Sequence, residues 1–357
     1  MIKDSSYNSF SDSVGLLQSL IQTPSFSKQE DQTAKLIADY FTTKGIHVQR
    51  HLNNVWTVNQ FFDPSIPTLL LNSHHDTVKP NTGYTRDPFD GKLEHSKLYG
   101  LGSNDAGAAL VALLFTFLHF YDRKGLNYNL LFAATAEEEI SGKGGIESLL
   151  SLLPPIDCGI IGEPTLLQLA TAERGLMVLD VEVQGRAGHA ARCDGDNAIY
   201  KSLIDIEWIK TYQFEKISKL LGSVQMTVTA IETDNKAHNV IPALCKYVMD
   251  VRVNDCYSLE EVYAIIEQHL IGKPTARSFR LRPTAIPLDH PLVLAGLEIG
   301  KTCYGSPTTS DKALLPFPAL KMGPGDSKRS HMADEFIFIE EIEEGIHTYI
   351  QLLNLIL

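Results

Sequence analysis

The feature that most narrows what this chain can become is a strand ending that occurs three times. Residues 68–72 (TLLLN), 129–134 (NLLFAA) and Cys158–Ile161 are short apolar runs, the length of buried strands rather than helices. Each stops at ionisable residues: Ser73-His74-His75-Asp76, then Glu137-Glu138-Glu139 after two further residues, then Gly162-Glu163-Pro164. Helical periodicity fills the neighbouring stretches, at 29–44, 107–121 and 146–153. Apolar strands alternating with helices predict an α/β fold with a mostly parallel, mixed sheet covered on both faces. In such sheets ligands bind beyond the carboxyl ends of the strands, where these acids and histidines fall.

The pattern changes after Arg174. Met177, Leu179, Val181 and Val183 alternate with polar or smaller residues, as in a half-buried strand. A helix over 197–213, strands over 225–231 and 246–253, a helix over 258–270 and a strand over 278–282 follow. Ser258 with Glu261 three residues on forms a capping box. The order βαββαβ is the ferredoxin-like split arrangement. Beyond residue 291 the first style resumes, with helices over 291–303 and 337–353 and a short strand over 319–322. A chain of 357 residues exceeds the roughly 250–300 residues of a single core. The predicted division is a discontinuous domain of 1–174 and 286–357, interrupted by an inserted domain of 175–285.

The formal net charge of −12 argues against nucleic acid and anionic membranes, which need a basic footprint. No apolar run approaches about 18 residues, and the polar start, residues 1–13, has no apolar signal core. Cys158, Cys193, Cys245, Cys256 and Cys303 are scattered, which excludes a cysteine-built zinc site and fits a reducing cytoplasm.

Each candidate residue has a bland reading beside the chemical one. Three adjacent glutamates form a solvated acidic turn in most proteins. Buried, they are expensive unless a cation offsets them, and two other acid-bearing strand ends favour that second reading. His74-x-Asp76 can form a ligand pair in which the acid holds the imidazole's free N–H. His75 has no such argument and reads as structural. Asp105, in Gly102-Ser103-Asn104-Asp105-Ala106-Gly107, opens a long apolar helix and is also a plain N-cap candidate. Near the C-terminus, Gly323-Pro324-Gly325-Asp326 is a turn leading to His331 and Glu335. Arg252 lies on the polar face of its strand, where a guanidinium suits a carboxylate or simply meets solvent.

Five ordered motifs, SHHDTV, GLGSNDAG, TAEEEISG, IIGEPT and GPGDSKRSH, resemble the M20 family of metallopeptidases and deacylases across essentially the whole chain. The resemblance implies a zinc-peptidase-like catalytic domain with an inserted ferredoxin-like lid that often dimerises. It implies two divalent metal ions; imidazole and carboxylate donors suit Zn2+, with Co2+ or Mn2+ able to substitute. By this resemblance His74 and Glu163 are ligands of one ion, and Glu139 and His331 of the other. Asp105 bridges both, Asp76 orients His74, and Glu138 is the general base. In the inserted segment His189, Asn239 and Arg252 resemble substrate-binding residues. One departure is visible: the family commonly has Asp-x-Lys-Gly, where this chain has Asp105-Ala106-Gly107.

The implied activity is hydrolysis of a linear amide in an N-acyl amino acid. The acetylornithine deacetylase branch is the best match, which points to N-acetylornithine or N-acetyl- or N-succinyl-citrulline in arginine biosynthesis. An M20-type aminopeptidase or dipeptidase is the nearest rival. A non-catalytic binding protein on the same fold is a rival of another class. The implied partners are a small-molecule substrate and a second copy of the chain, joined through the inserted domain.

Overall fold

Every residue of Thr68–His74 and Asn129–Thr135 is buried, and the two strands pair in parallel, with Thr68 opposite Asn129 and His74 opposite Thr135. The computed structural model describes residues 6–192 and 194–357. The first five residues of the polar start, and Cys193, lie outside the described residues. The chain forms two compact units, one of Met1–Thr171, Ile286–Tyr304 and Ser310–Leu357, the other of Ala172–Ala285 and Gly305–Thr309.

In the first unit the sheet runs Gln49–His51, Asn54–Val58, Asn129–Thr135, Thr68–His74, Cys158–Ile161, Ala319–Lys321, Leu169–Glu173. Its middle four strands are parallel. The outer pairings are antiparallel. Successive side chains point to opposite faces. Leu69, Leu71, Leu130, Phe132 and Ile160 therefore enter one apolar cluster, with helices Asp31–Thr43, Ala108–Phe120 and Ile339–Asn354. Leu70, Leu131, Ala133 and Ile161 enter another, with Ile146 and Leu149. Burial on both faces explains why these strands read as unbroken apolar runs. The expected fold class, α/β with a mostly parallel, mixed sheet, is the one found.

The segment Ser103–Phe120 is long and apolar enough to cross a membrane, but 83% of it is buried inside the protein. It is the central core helix with its lead-in. Helix Ser6–Ile21 and the strands Gln49–His51, Asn54–Val58, Leu93–Glu94 and Lys97–Tyr99 escaped the sequence reading; they are short or lack a clear apolar period.

The second unit holds a four-stranded antiparallel sheet in the order Gln225–Thr233, Leu244–Val253, Gly175–Gln184, Lys273–Ala276. Met177, Leu179, Val181, Val183, Tyr247, Met249 and Val251 form its buried face, against helices Ala198–Thr211 and Leu259–His269. Both hydrogen bonds of the Ser258–Glu261 capping box are made. The closing strand is Lys273–Ala276, not 278–282. It contains Pro274, which an edge strand tolerates because one side of its backbone needs no partner. In the expected stretch, Phe279 packs on the core and on Tyr263, and Leu281 only bridges to Leu176.

Candidate metal centre

Five segments of the first unit meet beyond the carboxyl ends of its parallel strands. His74 is the last residue of its strand and is 1% exposed. Its Nδ1 lies 3.0 Å from the backbone oxygen of Asp76 and 3.5 Å from the Asp76 carboxylate. The main chain, more than the carboxylate, thus orients the ring, which refines the expected role of Asp76. With Nδ1 turned there, Nε2 is the ring nitrogen that faces the acids. That atom is buried and has no hydrogen-bond partner among the described residues. It faces Asp105 Oδ1 at 3.4 Å, Glu163 Oε1 at 3.7 Å and Glu138 Oε2 at 3.9 Å.

The Asp76 carboxylate does different work. Oδ1 accepts the backbone N–H of Glu138 at 3.0 Å and Oδ2 that of Glu139 at 3.2 Å, while Ser27 donates its hydroxyl to Oδ2 at 2.7 Å. One residue earlier, Glu137 N–H reaches the buried Glu30 carboxylate at 3.2 Å. Three successive amides of the acidic turn are thus received by carboxylates. The turn itself departs from the strand through a left-handed Glu137 at φ 57° and continues as a short 3-10 helix, Glu138–Ile140. Glu163 follows Cys158–Ile161 directly, and Gly162 is required there. A Cβ at that position would lie 2.7 Å from Leu113 Cδ1 and 3.1 Å from Ser73 Cβ.

Asp105 does not cap the helix: the N-cap of Ala108–Phe120 is Gly107, and no side chain caps it. Asp105 lies at φ −118° and ψ 98°, and a cis peptide joins it to Ala106. Its two carboxylate oxygens face two histidines, Oδ1 towards His74 and Oδ2 towards His331 Nε2 at 3.7 Å. His331 Nε2 also lies 3.0 Å from Glu139 Oε2. The missing lysine has a steric counterpart. A Cβ on Gly107 would come within 2.5 Å of Gly102 O and 2.6 Å of Leu17 Cδ1, so the position where the family carries lysine admits no side chain here without a shift.

The electrostatics of the cluster are unresolved by its own groups. Burial would push the His74 imidazole down, but Asp105 and Asp76, then Glu138 and Glu163, hold it well above the ordinary histidine range. Burial pushes the Glu138 carboxyl well up, opposed by His74 and reinforced by Glu163, Asp311 and Glu139. Burial raises Glu139 as well, against its hydrogen bond with His331. Acids crowded around buried imidazole are costly without a cation. His74 with Glu138 and Glu163, and His74 with Asp105 and Glu139, each bring three ligand atoms within 4.8 Å of one another. A buried imidazole nitrogen without a hydrogen-bond partner, facing carboxylate oxygens, fits a bound divalent cation, which would take the place of its proton.

His75 is buried and serves the scaffold. Its Nδ1 pairs with Thr33 Oγ1 at 2.9 Å, its Nε2 with Asn53 O at 2.9 Å, and burial pushes it down to about 4. Glu30, Asp311 and Glu335 are supporting acids that the sequence analysis did not single out as functional. Thr135 donates its hydroxyl to Asp311 at 2.8 Å.

In the second unit, a two-stranded ribbon, Gly188–His189 with Val240–Ile241, brings His189 beside Asn239, whose carbonyl accepts the Ala190 N–H at 3.0 Å. His189 Nδ1 accepts the N–H of Ala191 at 3.1 Å, which leaves the proton of the neutral ring on Nε2. Arg252 lies on the four-stranded sheet and is gripped by Asp250, Nε to Oδ1 at 2.8 Å and Nη2 to Oδ2 at 3.0 Å.

The family model described as "Peptidase family M20/M25/M40" matches residues 70–355. The chain is 30% identical to an acetylornithine deacetylase of Klebsiella pneumoniae (strain 342), over 93% of this chain and 95% of that one. It superposes on the aminopeptidase PepT from Bacillus cereus with a TM-score of 0.76, covering 97% of this chain and 98% of that one at 16% identity. It also superposes on a Bacillus subtilis protein described as a dinuclear metal binding peptidase from the M20 family, with a TM-score of 0.69, 98% of each chain and 14% identity. A match over this span, carrying motifs that converge on one cluster, makes the chain a member of the M20/M25/M40 peptidase family and a hydrolase.

Proposed function

We propose that the protein is a two-metal amidohydrolase that removes the acyl group from an N-acyl amino acid. The observation that carries this reading is Asp105, whose two oxygens each face a different histidine within one acid-lined cluster. In this reading His74 and Glu163 hold one ion, Glu139 and His331 the other, and Asp105 both. Zinc suits the donor set. When bound, the ions would supply polarisation of the amide carbonyl and acidification of an attacking water.

Glu138 takes the proton from that water as the new C–O bond forms. It returns the proton to the amide nitrogen as the C–N bond breaks. His189 donates Nε2–H to the carbonyl oxygen as charge develops on it. Asn239 shares its ribbon, and Arg252 binds the substrate carboxylate once freed from, or alongside, Asp250.

The full-length likeness to acetylornithine deacetylases supports N-acetylornithine or an N-acetyl- or N-succinyl-citrulline as substrate, in cytoplasmic arginine biosynthesis. A homodimer through the second unit belongs to the same proposal. It is supported by Tyr200, Leu203 and Ile204, exposed on helix Ala198–Thr211, and by Gln225–Thr233 as a sheet edge.

The test is a released-amine assay on the purified protein, with and without chelator. Its substrates are N-acetylornithine, N-acetylcitrulline, N-succinylcitrulline and a dipeptide. Chelator-sensitive turnover of an N-acyl amino acid is expected. Turnover of the dipeptide alone would make the protein an exopeptidase. Turnover of none would leave a binding protein on this fold.

A further inference from the structure

Glu335 is a buried carboxylate, 2% exposed, that touches no member of the metal cluster with its own charge-bearing atoms except through main chain. Oε1 accepts the N–H groups of Asn104 at 2.8 Å and Asp105 at 2.9 Å, and Oε2 accepts that of Gly102 at 3.1 Å. Its own backbone oxygen accepts the N–H of Gly100 at 2.9 Å. The loop that presents Asp105 is not helical at residues 105 and 106, so these amides need acceptors from elsewhere. One side chain supplies three.

The same short segment carries His331, four residues earlier. Asn81 donates its side-chain N–H to the His331 carbonyl at 3.0 Å, and Asp334 accepts the amides of Thr85 and Arg86 at 2.9 and 3.0 Å. Asn104 adds a clasp, donating to Asp326 O and accepting from Asp326 N, each at 3.1 Å. Residues 326–335 are therefore stapled to the loop of Asp105 at both ends, by Asp326 and Glu335, and to residues 81–86 between them; Glu335 makes the largest share of the bonds to the Asp105 loop.

We propose that Glu335 is a positioning residue that builds the His331 half of the metal centre by locking the Asp105 loop onto the His331 segment. The proposal rests on the two-metal reading. Glu335 binds neither metal nor substrate; it acts through the backbone of Asp105. Glutamine in its place would keep the shape but turn a donor towards backbone N–H groups, and so lose at least one of the three bonds.

The experiment compares the unsubstituted protein, Glu335→Gln and Glu335→Ala after removal of metal. Far-ultraviolet circular dichroism checks folding, and zinc is titrated back calorimetrically. The unsubstituted protein is expected to bind two ions. Glu335→Gln, folded, should keep one site at its original affinity and weaken the other by about 10–100-fold, the usual cost of losing an outer partner of a metal site. At saturating zinc its kcat should fall with little change in KM. If Glu335→Ala does not fold, the glutamine variant decides. Two undisturbed zinc sites with kcat within twofold would overturn the positioning role alone. A single ion on the unsubstituted protein would overturn the two-metal reading and this proposal with it.

Discussion

His74 and His331 approach the two oxygens of Asp105 at 3.4 and 3.7 Å, yet they are held in different ways. His74 ends a central parallel strand. Its position follows from sheet register, its ring is 1% exposed, and its Nδ1 is fixed by the main chain two residues on. His331 sits in a loop at φ 60°, its side chain 54% exposed, and reaches the cluster through contacts 192 to 250 residues apart in sequence. One half of the centre is carried by strands that the core already requires. The other half is carried by bonds whose main role is to hold it. The first should be stiff and metal-retentive, the second easier to perturb.

The strongest test of the buried half is Glu138→Ala. Turnover should fall by about 10²–10⁴-fold, the size of a general acid–base contribution, with metal content nearly unchanged. Steady-state rates beside elemental analysis would show it, and near-normal turnover would remove Glu138 from the mechanism.

Exchanging the histidines sharpens the contrast next. His74→Ala and His331→Ala each remove a ligand and should each weaken retention of one ion by more than about 100-fold, beyond the loss of an outer partner, with the larger loss at His74. Competition against a graded series of chelators measures both. Equal losses would mean that register and staples hold the two sides equally well.

Gly107→Ala tests the close approach of the Asp105 loop to the first helix. The added methyl meets Gly102 O and Leu17 Cδ1, so denaturant unfolding should show a loss of about 1–3 kcal/mol. Wild-type stability in that variant would mean that the loop yields without cost.

The smallest effect concerns pH in the metal-free protein. The hydrogen bond with Glu139 raises His331 to about 9, against some burial. A raised folded pKa gives stability that is fully present below about 6.5 and lost as pH rises through about 9. Because His331 is half exposed, solvent screening limits this to less than about 1 kcal/mol. Melting temperatures of chelated protein at pH 6 and pH 10, with and without His331→Ala, would resolve it. A dependence of several kcal/mol would mean that the open half is not open.

This contrast also explains what could be read from the residues alone. The acids on the buried half begin within three residues of the ends of runs such as CGII and NLLFAA, so the apolar pattern that marks a strand also marks where its functional end lies. The turn at Glu137–Glu139 was visible as acidity but not as geometry, since its amides depend on Glu30 and Asp76, distant in the chain. Glu335 carries no local signal, because its partners lie 230 to 233 residues away. The closing strand of the second unit was misplaced for a related reason. Lys273–Ala276 owes its strand character to one neighbour, Gly175–Gln184, and not to its own composition.

The register that sets His74 beside Thr135 also bears on how the chain can change in length. A residue inserted within Thr68–His74 or Asn129–Thr135 reverses the facing of everything beyond it, and would turn the His74 ring into the opposite layer of the core. A residue inserted in the exposed turn at 122–125, ahead of the second strand, moves nothing in that alignment. Tolerance of insertions along this chain should therefore fall abruptly over a few positions, from permissive turn to intolerant strand, well before any residue of the metal cluster is reached.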